Sequence, residues 1–342
     1  MATAVQITAD DEEVSQLLRP YIQSGNLNFL LGSGASFPAI TTAGHIEAEI
    51  NGHLMLGEVA EANLRAVALI EHIDGIHASI PNAAPGTDVH NVTESYKTFL
   101  GVIDHILFVR KNILLPRQAT VFTTNYDMFV EHASSLVPSV LLNDGFDRSS
   151  GLGSDFAFAP ERYFDRTYRS GTVYSSQVEI PTVNLVKLHG SLSWRRGTDS
   201  VVFDPVAISS LTAAQKADPA QVEAYLRQHF LILPNLRKFH ETLMERVYYD
   251  LLRQFSKAME QENSVLMTFG FSFADEHILD ITRRALRNPT AQLLIFAFDA
   301  ASVAGYEEKF AKQRNVTVLA PAPGSTLPFG EFNKLLASIT AA

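Results

Sequence analysis

The chain has 342 residues, a formal net charge of −10 and no cysteine. The lack of thiols excludes disulfide bonds, a cysteine nucleophile and any zinc or iron–sulfur centre held by cysteines. A chain this acidic is also a poor candidate for binding nucleic acid over its whole surface. Nearly half of the residues are apolar and fewer than a fifth are charged, which favours a well-buried globular core.

The sequence gives no sign of export or membrane insertion. Residues 1–13 are acidic and lack the basic and apolar regions of a signal peptide, and no apolar run approaches the length of a membrane span. We therefore expect a cytoplasmic protein without membrane attachment or sequence-specific contacts to nucleic acid. A local basic groove would have to use the arginines that cluster in the sequence, which are Arg162, Arg166, Arg169, Arg195 and Arg196.

The first half of the chain predicts two core strands separated by helices. An amphipathic helix at 12–24 precedes a strand at 27–31 and the glycine turn Gly32-Ser-Gly-Ala-Ser36. Helical periodicity then runs without a strand to the second core strand at 119–123, with helices predicted at 44–56, 57–74 and 92–113. We therefore predict a helical insertion over residues 43–115.

The second half returns to alternating strands and helices. A strand-like run at 137–142, an irregular segment at 143–181 and a strand at 183–188 are followed by a second, mainly helical insertion at 205–262. Residues 201–203 are predicted to pair with the segment near Trp194. Later strands are predicted at 264–269, 292–298 and 316–319, and later helices at 275–287, 302–313 and 329–340.

This order of elements predicts one domain over residues 1–342. Strands that alternate with helices indicate a parallel sheet with helices on both faces. The fold class is therefore α/β, with a Rossmann-like parallel sheet and large helical insertions. Polar residues at the carboxyl ends of its strands are the candidate ligand contacts, because ligands bind at that edge of open α/β sheets.

The glycine turn at 32–36 is the first such strand end. Glycines there let the backbone approach a phosphate, and the start of a following helix offers unpaired N–H groups. The full dinucleotide fingerprint wants a third glycine where Phe37 stands. The alternative is a tight turn that needs glycine for its dihedral angles.

Two further strand ends carry polar side chains suited to catalysis. Thr123, Thr124, Asn125 and Asp127 follow the second core strand. A helix N-cap explains one of them but does not require the whole set. His189 follows the strand at 183–188, and histidine is the side chain best suited to proton transfer near neutral pH. A histidine in that position is also commonly a hydrogen-bonded structural residue.

The last two strand ends have both functional and structural interpretations. Gly270-Phe-Ser-Phe-Ala-Asp275 is a second glycine turn, which offers Ser272 as a phosphate or ribose contact or is an ordinary loop capped by Asp275. Asp299 is placed to accept hydrogen bonds from ribose hydroxyls, and an N-cap for the helix at 302–313 explains it equally well.

Two other kinds of site are poorly supported. His72 and His77 are five residues apart and no carboxylate cluster accompanies them, so we expect no metal site. A serine hydrolase of the α/β class needs a Gly-x-Ser-x-Gly elbow. Neither glycine turn supplies one.

Taken in order, these motifs resemble those of the sirtuins and their sirtuin-like relatives. Gly-Ser-Gly-Ala-Ser (32–36) is similar to the family's Gly-Ala-Gly-x-Ser phosphate loop, and Thr-Thr-Asn-Tyr-Asp (123–127) is similar to its Thr-Gln-Asn-Ile-Asp. Leu188-His-Gly-Ser191 resembles the segment with the catalytic histidine, and Gly-Phe-Ser-Phe (270–273) resembles Gly-Thr-Ser-Leu. The resemblance covers 27–38, 119–133, 183–194 and 264–319.

Two departures separate the chain from deacylating sirtuins. Those enzymes carry a Cys₄ zinc module, and this chain has no cysteine. The helical insertion also exceeds the cofactor loop that it replaces. Both features resemble the sirtuin-like effectors of bacterial anti-phage defence, which hydrolyse NAD⁺. Phe29-Leu-Leu-Gly-Ser-Gly-Ala-Ser-Phe-Pro38 and Lys187-Leu-His-Gly-Ser-Leu-Ser-Trp194 are most similar to that branch.

The resemblance implies that NAD⁺ is the substrate and assigns a role to each motif. Asn125 would hold the ribose and the attacking water, His189 would remove a proton, and Asp127 would hold the nicotinamide carboxamide. The pyrophosphate would contact Gly32, Ser33, Gly34, Ser36 and Ser272, and the adenosine ribose would contact Asp299. Neighbours in the same motifs that are also assigned to the pocket are Ala35, Phe37, Thr123, Thr124, Gly270 and Phe273.

The function implied by the resemblance is NAD⁺ glycohydrolysis in a gated defence effector. Two other functions stay open: a non-catalytic sensor of NAD⁺ or ADP-ribose, and a zinc-free deacylase or ADP-ribosyl transferase. The implied partners are further copies of the chain and a HerA-type DNA-translocating ATPase. The helical segments 44–112 and 210–262 are the expected gates or assembly surfaces.

Overall fold

The structure is a computed structural model that describes residues 2–7, 12–41, 44–110, 112, 114–148, 156–171, 177–197, 200–206, 208–232 and 246–341. Its strands are β1 (Thr3–Gln6), β2 (Asn26–Leu31), β3 (Gln118–Thr123), β4 (Leu141–Asn143), β5 (Phe156–Ala157), β6 (Tyr168–Ser170), β7 (Gln177–Glu179), β8 (Thr182–Lys187), β9 (Gly190–Arg196), β10 (Val201–Phe203), β11 (His229–Leu231), β12 (Ser264–Phe269), β13 (Gln292–Phe296) and β14 (Val316–Ala320). Its α-helices are α1 (Glu12–Ser24), α2 (Gly44–Met55), α3 (Val59–Ser79), α4 (Asp88–Val109), α5 (Phe129–Ser135), α6 (Ala213–Lys216), α7 (Pro219–Gln228), α8 (Arg246–Glu260), α9 (Glu276–Ala285), α10 (Val303–Lys309) and α11 (Phe329–Ala341). Short 3₁₀ turns lie at Ser33–Ala35, Ile80–Asn82, Pro160–Arg162 and Ala300–Ser302.

The centre of the fold is a parallel sheet. Within the described residues its strand order is β1-β14-β13-β12-β2-β3-β8-β4, and all neighbouring strands are parallel. Alternate side chains enter two separate cores, with Phe29 and Met267 on one face and Leu30 and Leu266 on the other. Strands β3, β8 and β12 are buried along their whole length, as strands covered on both faces are. The predicted Rossmann-like α/β fold is confirmed.

Helices cover both faces of this sheet. Helices α1, α4, α5 and α11 supply the core on one face, through side chains such as Leu18, Phe99 and Phe332. Helices α8 and α9 supply the core on the other face, through Phe255 and Ile278. The sheet is therefore the middle of three layers, and loops cover the edge formed by the carboxyl ends of its strands.

The segment between β2 and β3 is helical, as predicted. It contains α2, α3 and α4, and the described residues there include no strand. Helix α3 packs against α2 and against α7, which belongs to the second predicted insertion. Residues 233–245, which belong to the second predicted insertion, lie outside the described residues. The division into one domain with two insertions stays a prediction.

Several short strands were not predicted from the sequence. Strand β1 extends the main sheet by pairing with β14. A second, antiparallel sheet has the order β11-β9-β10-β5, and β6 pairs with β7. These strands are mostly two to four residues long, too short for an alternating pattern to mark them. The predicted pairing of residues 201–203 is confirmed, since Phe203 lies opposite Trp194.

The order of strands reverses beside β2. From β2 the chain adds β3 and then β8 on one side, whereas β12, β13 and β14 follow one another on the other side. The loops after β2 and β12 therefore flank a topological switch point, where open α/β sheets bind ligands. The loops after β3 and β8 lie at the same edge of the sheet.

Candidate active site

A cavity of about 570 Å³ lies at this edge. Its volume is within the range of roughly 300–1,000 Å³ that is usual for small-molecule sites. The predicted site residues that line it are Ser33, Gly34, Ser36, Phe37, Thr124, Asn125, Asp127, His189, Gly270 and Ser272. Residues from four separate strand ends thus meet in one cleft.

Five other predicted site residues lie outside the cavity lining. The residues that do not contribute to the described lining are Gly32, Ala35, Thr123, Phe273 and Asp299. Asp299 Oδ1 accepts a hydrogen bond from the Ser302 backbone N–H at 2.9 Å, which caps the 3₁₀ turn before α10. Phe273 is buried against Phe271 and Phe310. The N-cap alternative considered for Asp299 therefore describes its contact here.

The two glycine turns pack against each other through their backbones. A Cβ on Gly32 would lie 2.3 Å from the Gly270 carbonyl oxygen, and a Cβ on Gly34 would lie 2.7 Å from the Gly270 Cα. The φ of Gly32 is −103°, which other residues adopt as well, whereas Gly270 has a φ of +63°. Close approach, rather than an unusual dihedral angle, therefore requires glycine at residues 32 and 34.

Most N–H groups of the first turn are already bonded within the protein. Gly32 and Gly34 donate to the carbonyls of Phe269 and Gly270, and Ala35 and Ser36 donate back into the turn. Among the described residues, the backbone N–H groups of Ser33 and Phe37 have no protein acceptor. These two N–H groups are the ones available to an anion, together with the hydroxyls of Ser33 and Ser272 in the cavity wall.

Asn125 is held firmly at the cavity wall. Its Nδ2 donates to the Gly32 carbonyl at 3.0 Å and to Ser36 Oγ at 3.1 Å, and its backbone N–H donates to Thr123 Oγ1. The side chain is only 8% exposed. Because both amide hydrogens are used, Oδ1 is the atom of the Asn125 side chain left for a ligand.

Asp127 belongs to the same hydrogen-bond network, because Ser36 Oγ contacts both Asn125 and Asp127. Its Oδ2 accepts from Ser36 Oγ at 2.7 Å and its Oδ1 accepts from the Phe129 backbone N–H at 3.3 Å. Burial raises the pKa of the Asp127 carboxyl, and the Lys187 ammonium opposes that rise. Both oxygens already have donors, so any further hydrogen bond to the carboxylate would use their remaining lone pairs.

His189 pairs with a carboxylate that sequence reasoning treated as a helix cap. His189 Nε2 lies 2.9 Å from Asp275 Oδ2. The other oxygen of Asp275, Oδ1, accepts from the backbone N–H groups of His277 and Ile278 at the start of α9. Both side chains line the cavity and each is 10% exposed. A carboxylate fixed in this way holds the imidazole in one orientation.

A SIR2-like domain model matches residues 119–319, more than half of the chain. The protein belongs to the SIR2-like domain family. This is the sirtuin-like family that its motifs resemble, and such domains are typically NAD-dependent enzymes. A comparison with curated proteins found no match.

The SIR2-like match contains most of the cleft. Asn125, Asp127, His189 and the loop from Gly270 to Asp275 lie inside it, whereas the glycine turn at 32–36 precedes it. The family uses NAD⁺. The cavity lining includes Asp127 and Asp275 but no lysine or arginine among the described residues. Carboxylates favour a positively charged group nearby, while Phe37 and Phe298 have half-exposed rings at the cavity.

The helical insertion adds a wall to the SIR2-like cleft that the sequence did not indicate. Leu69 and Ile73 of α3 line the cavity. One turn further on, His77 Nε2 accepts a hydrogen bond from the Met128 backbone N–H at 2.9 Å. Helix α3 therefore touches both the ligand space and the loop that carries Asn125. Helical periodicity alone did not single out these residues from the rest of the helix.

The described residues contain neither a metal-binding cluster nor a membrane-spanning helix. No group of three or more histidine, aspartate or glutamate side chains is arranged to hold a metal ion. No helix among the described residues is both long enough and apolar enough to cross a bilayer.

Proposed function

We propose that the protein is an NAD⁺ glycohydrolase that releases nicotinamide and ADP-ribose. The observation that best supports the proposal is the meeting of Asn125 and His189 in one cavity, with Asp275 paired to the imidazole. An amide, a base and a carboxylate are the groups that this hydrolysis needs near the ribose. Membership of an NAD-using family supplies the substrate class.

The chemistry asks little of a general acid. Nicotinamide in NAD⁺ carries a positive charge, so it leaves as a neutral molecule with the electrons of the broken C1′–N bond. The barrier lies in the oxocarbenium character that develops on the ribose. A cavity wall with two carboxylates and no described lysine or arginine stabilises that positive charge.

Asn125 and His189 have separate parts in the step. Asn125 Oδ1 orients a ribose hydroxyl or the attacking water, because its amide hydrogens are held by Gly32 and Ser36. The water oxygen bonds to C1′ and its proton passes to the His189 imidazole. Asp275 then stabilises the imidazolium. The proton finally returns to solvent, and ADP-ribose leaves.

A product assay separates this proposal from its two alternatives. The purified protein is incubated with NAD⁺, and nicotinamide and ADP-ribose are quantified by chromatography. Equal release of both products supports hydrolysis. Binding of NAD⁺ with no product after prolonged incubation would instead indicate a sensor. Loss of NAD⁺ that depends on an added acyl-lysine peptide would indicate a deacylase.

We also propose that the activity is gated and serves anti-phage defence. An NAD⁺ hydrolase that was always active would deplete its own cell. The resemblance to the defence branch supports assembly with further copies of the chain and with a HerA-type DNA-translocating ATPase. The assay is therefore run with the protein alone and with the product of the neighbouring gene plus DNA. Equal rates in both conditions would refute the gate.

A further inference from the structure

A lysine lies buried beneath the cleft. Lys187, at the end of β8, is 2% exposed. Its ammonium donates to the Asp127 carbonyl, to Ser191 Oγ at 2.8 Å and to Glu131 Oε1 at 2.7 Å. All three ammonium hydrogens are therefore used. A buried charge is costly even when it is paired, and fold stability alone rarely needs one.

Two of the partners of Lys187, Asp127 and Ser191, are close in the chain to the proposed catalytic residues. Lys187 lies two residues before His189, and Asp127 lies two residues after Asn125. Ser191, two residues after His189, also donates to the Tyr126 carbonyl at 3.3 Å. The ammonium thus joins both sides of His189 to the loop that follows Asn125.

We propose that Lys187 is a positioning residue that fixes the separation of Asn125 and His189. Lys187 does not itself line the cavity and touches no reacting atom, so it acts through the backbone of Asp127 and the hydroxyl of Ser191. The proposal rests on the proposed hydrolase function. A site of this kind is sensitive to spacing, since a displacement of about 1 Å can cost about 100-fold in rate.

Substitution of Lys187 alone does not test the positioning role, because Lys187 also pairs with Glu131. Its side chain is 12% exposed and Glu131 Oε2 has no described partner. Loss of the lysine alone would leave this carboxylate buried without its counter-charge, which by itself destabilises a fold. The double variant Lys187→Met with Glu131→Gln removes both charges at nearly constant volume. In this variant the hydrogen bond from Lys187 to the Asp127 carbonyl is lost, and no unpaired Glu131 carboxylate is left buried.

A matched control is available at another buried cation. Arg110 is 8% exposed and donates to the carbonyls of Ile22 at 3.1 Å and Gly25 at 2.9 Å, before β2 begins. It therefore ties backbone segments at the opposite edge of the sheet. Arg110→Met is expected to lower the melting temperature and to leave kcat unchanged.

The test measures melting temperature, ADP-ribose affinity and kcat for nicotinamide release. The double variant is expected to melt near the wild-type temperature and to bind ADP-ribose as the wild type does, with kcat about 100-fold lower. A folded double variant with wild-type kcat would overturn the proposal. If it does not fold, Lys187→Arg decides: its planar group keeps the charge but not the three-way contact, and an unchanged kcat would overturn the proposal.

Crystal structures of the wild type and the double variant test Lys187 without an activity assay. We expect the separation of the Asn125 amide and the His189 imidazole to change by about 1 Å. An unchanged separation would overturn the positioning role. A wild type that releases no nicotinamide would instead refute the hydrolase function, and the structural comparison would still be decisive for Lys187.

Discussion

His189 Nε2 and Asp275 Oδ2 lie 2.9 Å apart although β2 and β3 separate the strands that precede them. The contact spans the switch point of the sheet. It exists because the loop after β12 turns over the edge towards β8, while Asp275 is anchored by the first N–H groups of α9. The pair joins the His189 imidazole to a carboxylate that cannot easily move.

Asp275→Asn tests this pair. Asparagine caps helices about as well as aspartate, so α9 should persist. The substitution removes the charge that stabilises an imidazolium, and we expect kcat for nicotinamide release to fall about 100-fold. Asp299→Asn is the matched control, because Asp299 also caps a helical turn at a strand end but lies outside the described cavity lining. Equal kcat values for both variants would refute the role of the pair.

Gly32→Ala tests the close packing of the two glycine turns. The added Cβ would lie 2.3 Å from the Gly270 carbonyl oxygen, so the turns must separate. We expect the free energy of unfolding to drop by about 1–3 kcal/mol. Gly75→Ala is the control, since Gly75 is an exposed position of helix α3 where a Cβ meets nothing within 4 Å, and it should raise stability by up to about 1 kcal/mol. Urea denaturation measures both, and an unchanged Gly32→Ala value would contradict the packing.

The lowered pKa of His77 predicts that the protein loses stability in acid. Burial, with a smaller contribution from Lys187, lowers the pKa of His77 from 6.5 to about 3. The folded protein therefore keeps the imidazole neutral while the unfolded chain takes up a proton below pH 6.5. Stability is complete above that pH and decreases as the pH falls towards 3. Because the imidazole is neutral at pH 7, its 4.0 Å contact with Asp74 is not a salt bridge there.

The measurement compares the wild type with His77→Gln. Between about pH 7.5 and pH 5, the wild type should lose about 2 kcal/mol more unfolding free energy than the variant. Burial raises the pKa of Asp74 to about 6, which acts in the opposite direction, but Asp74 is present in both proteins. Parallel pH profiles for the two proteins would contradict the buried, neutral His77.

The sheet was predictable because its strands are buried on both faces. Strands β2, β3, β8 and β12 are runs of apolar residues that each end at a polar motif, and the sequence located all four. The convergence of Asn125 and His189 therefore needed only the rule that parallel strands end at one edge.

The rest depended on how loops and inserted helices pack. Asp275 and Asp299 have the same sequence context, a carboxylate that caps a helical turn after a strand, yet only Asp275 lines the cavity. The direction in which each loop turns separates them, and no local pattern reports that direction. The contributions of Ile73 and His77 depend on the docking of α3, which is a tertiary property.

The measurement that tests the account most directly is nicotinamide release from NAD⁺ by the wild type, Asn125→Ala and His189→Ala. Each is assayed alone and with the product of the neighbouring gene plus DNA, after circular dichroism and ADP-ribose binding have shown that it is folded. We predict that the wild type releases nicotinamide and ADP-ribose in equal amounts and that neither variant releases either product. Release at the wild-type rate by folded His189→Ala would contradict the account.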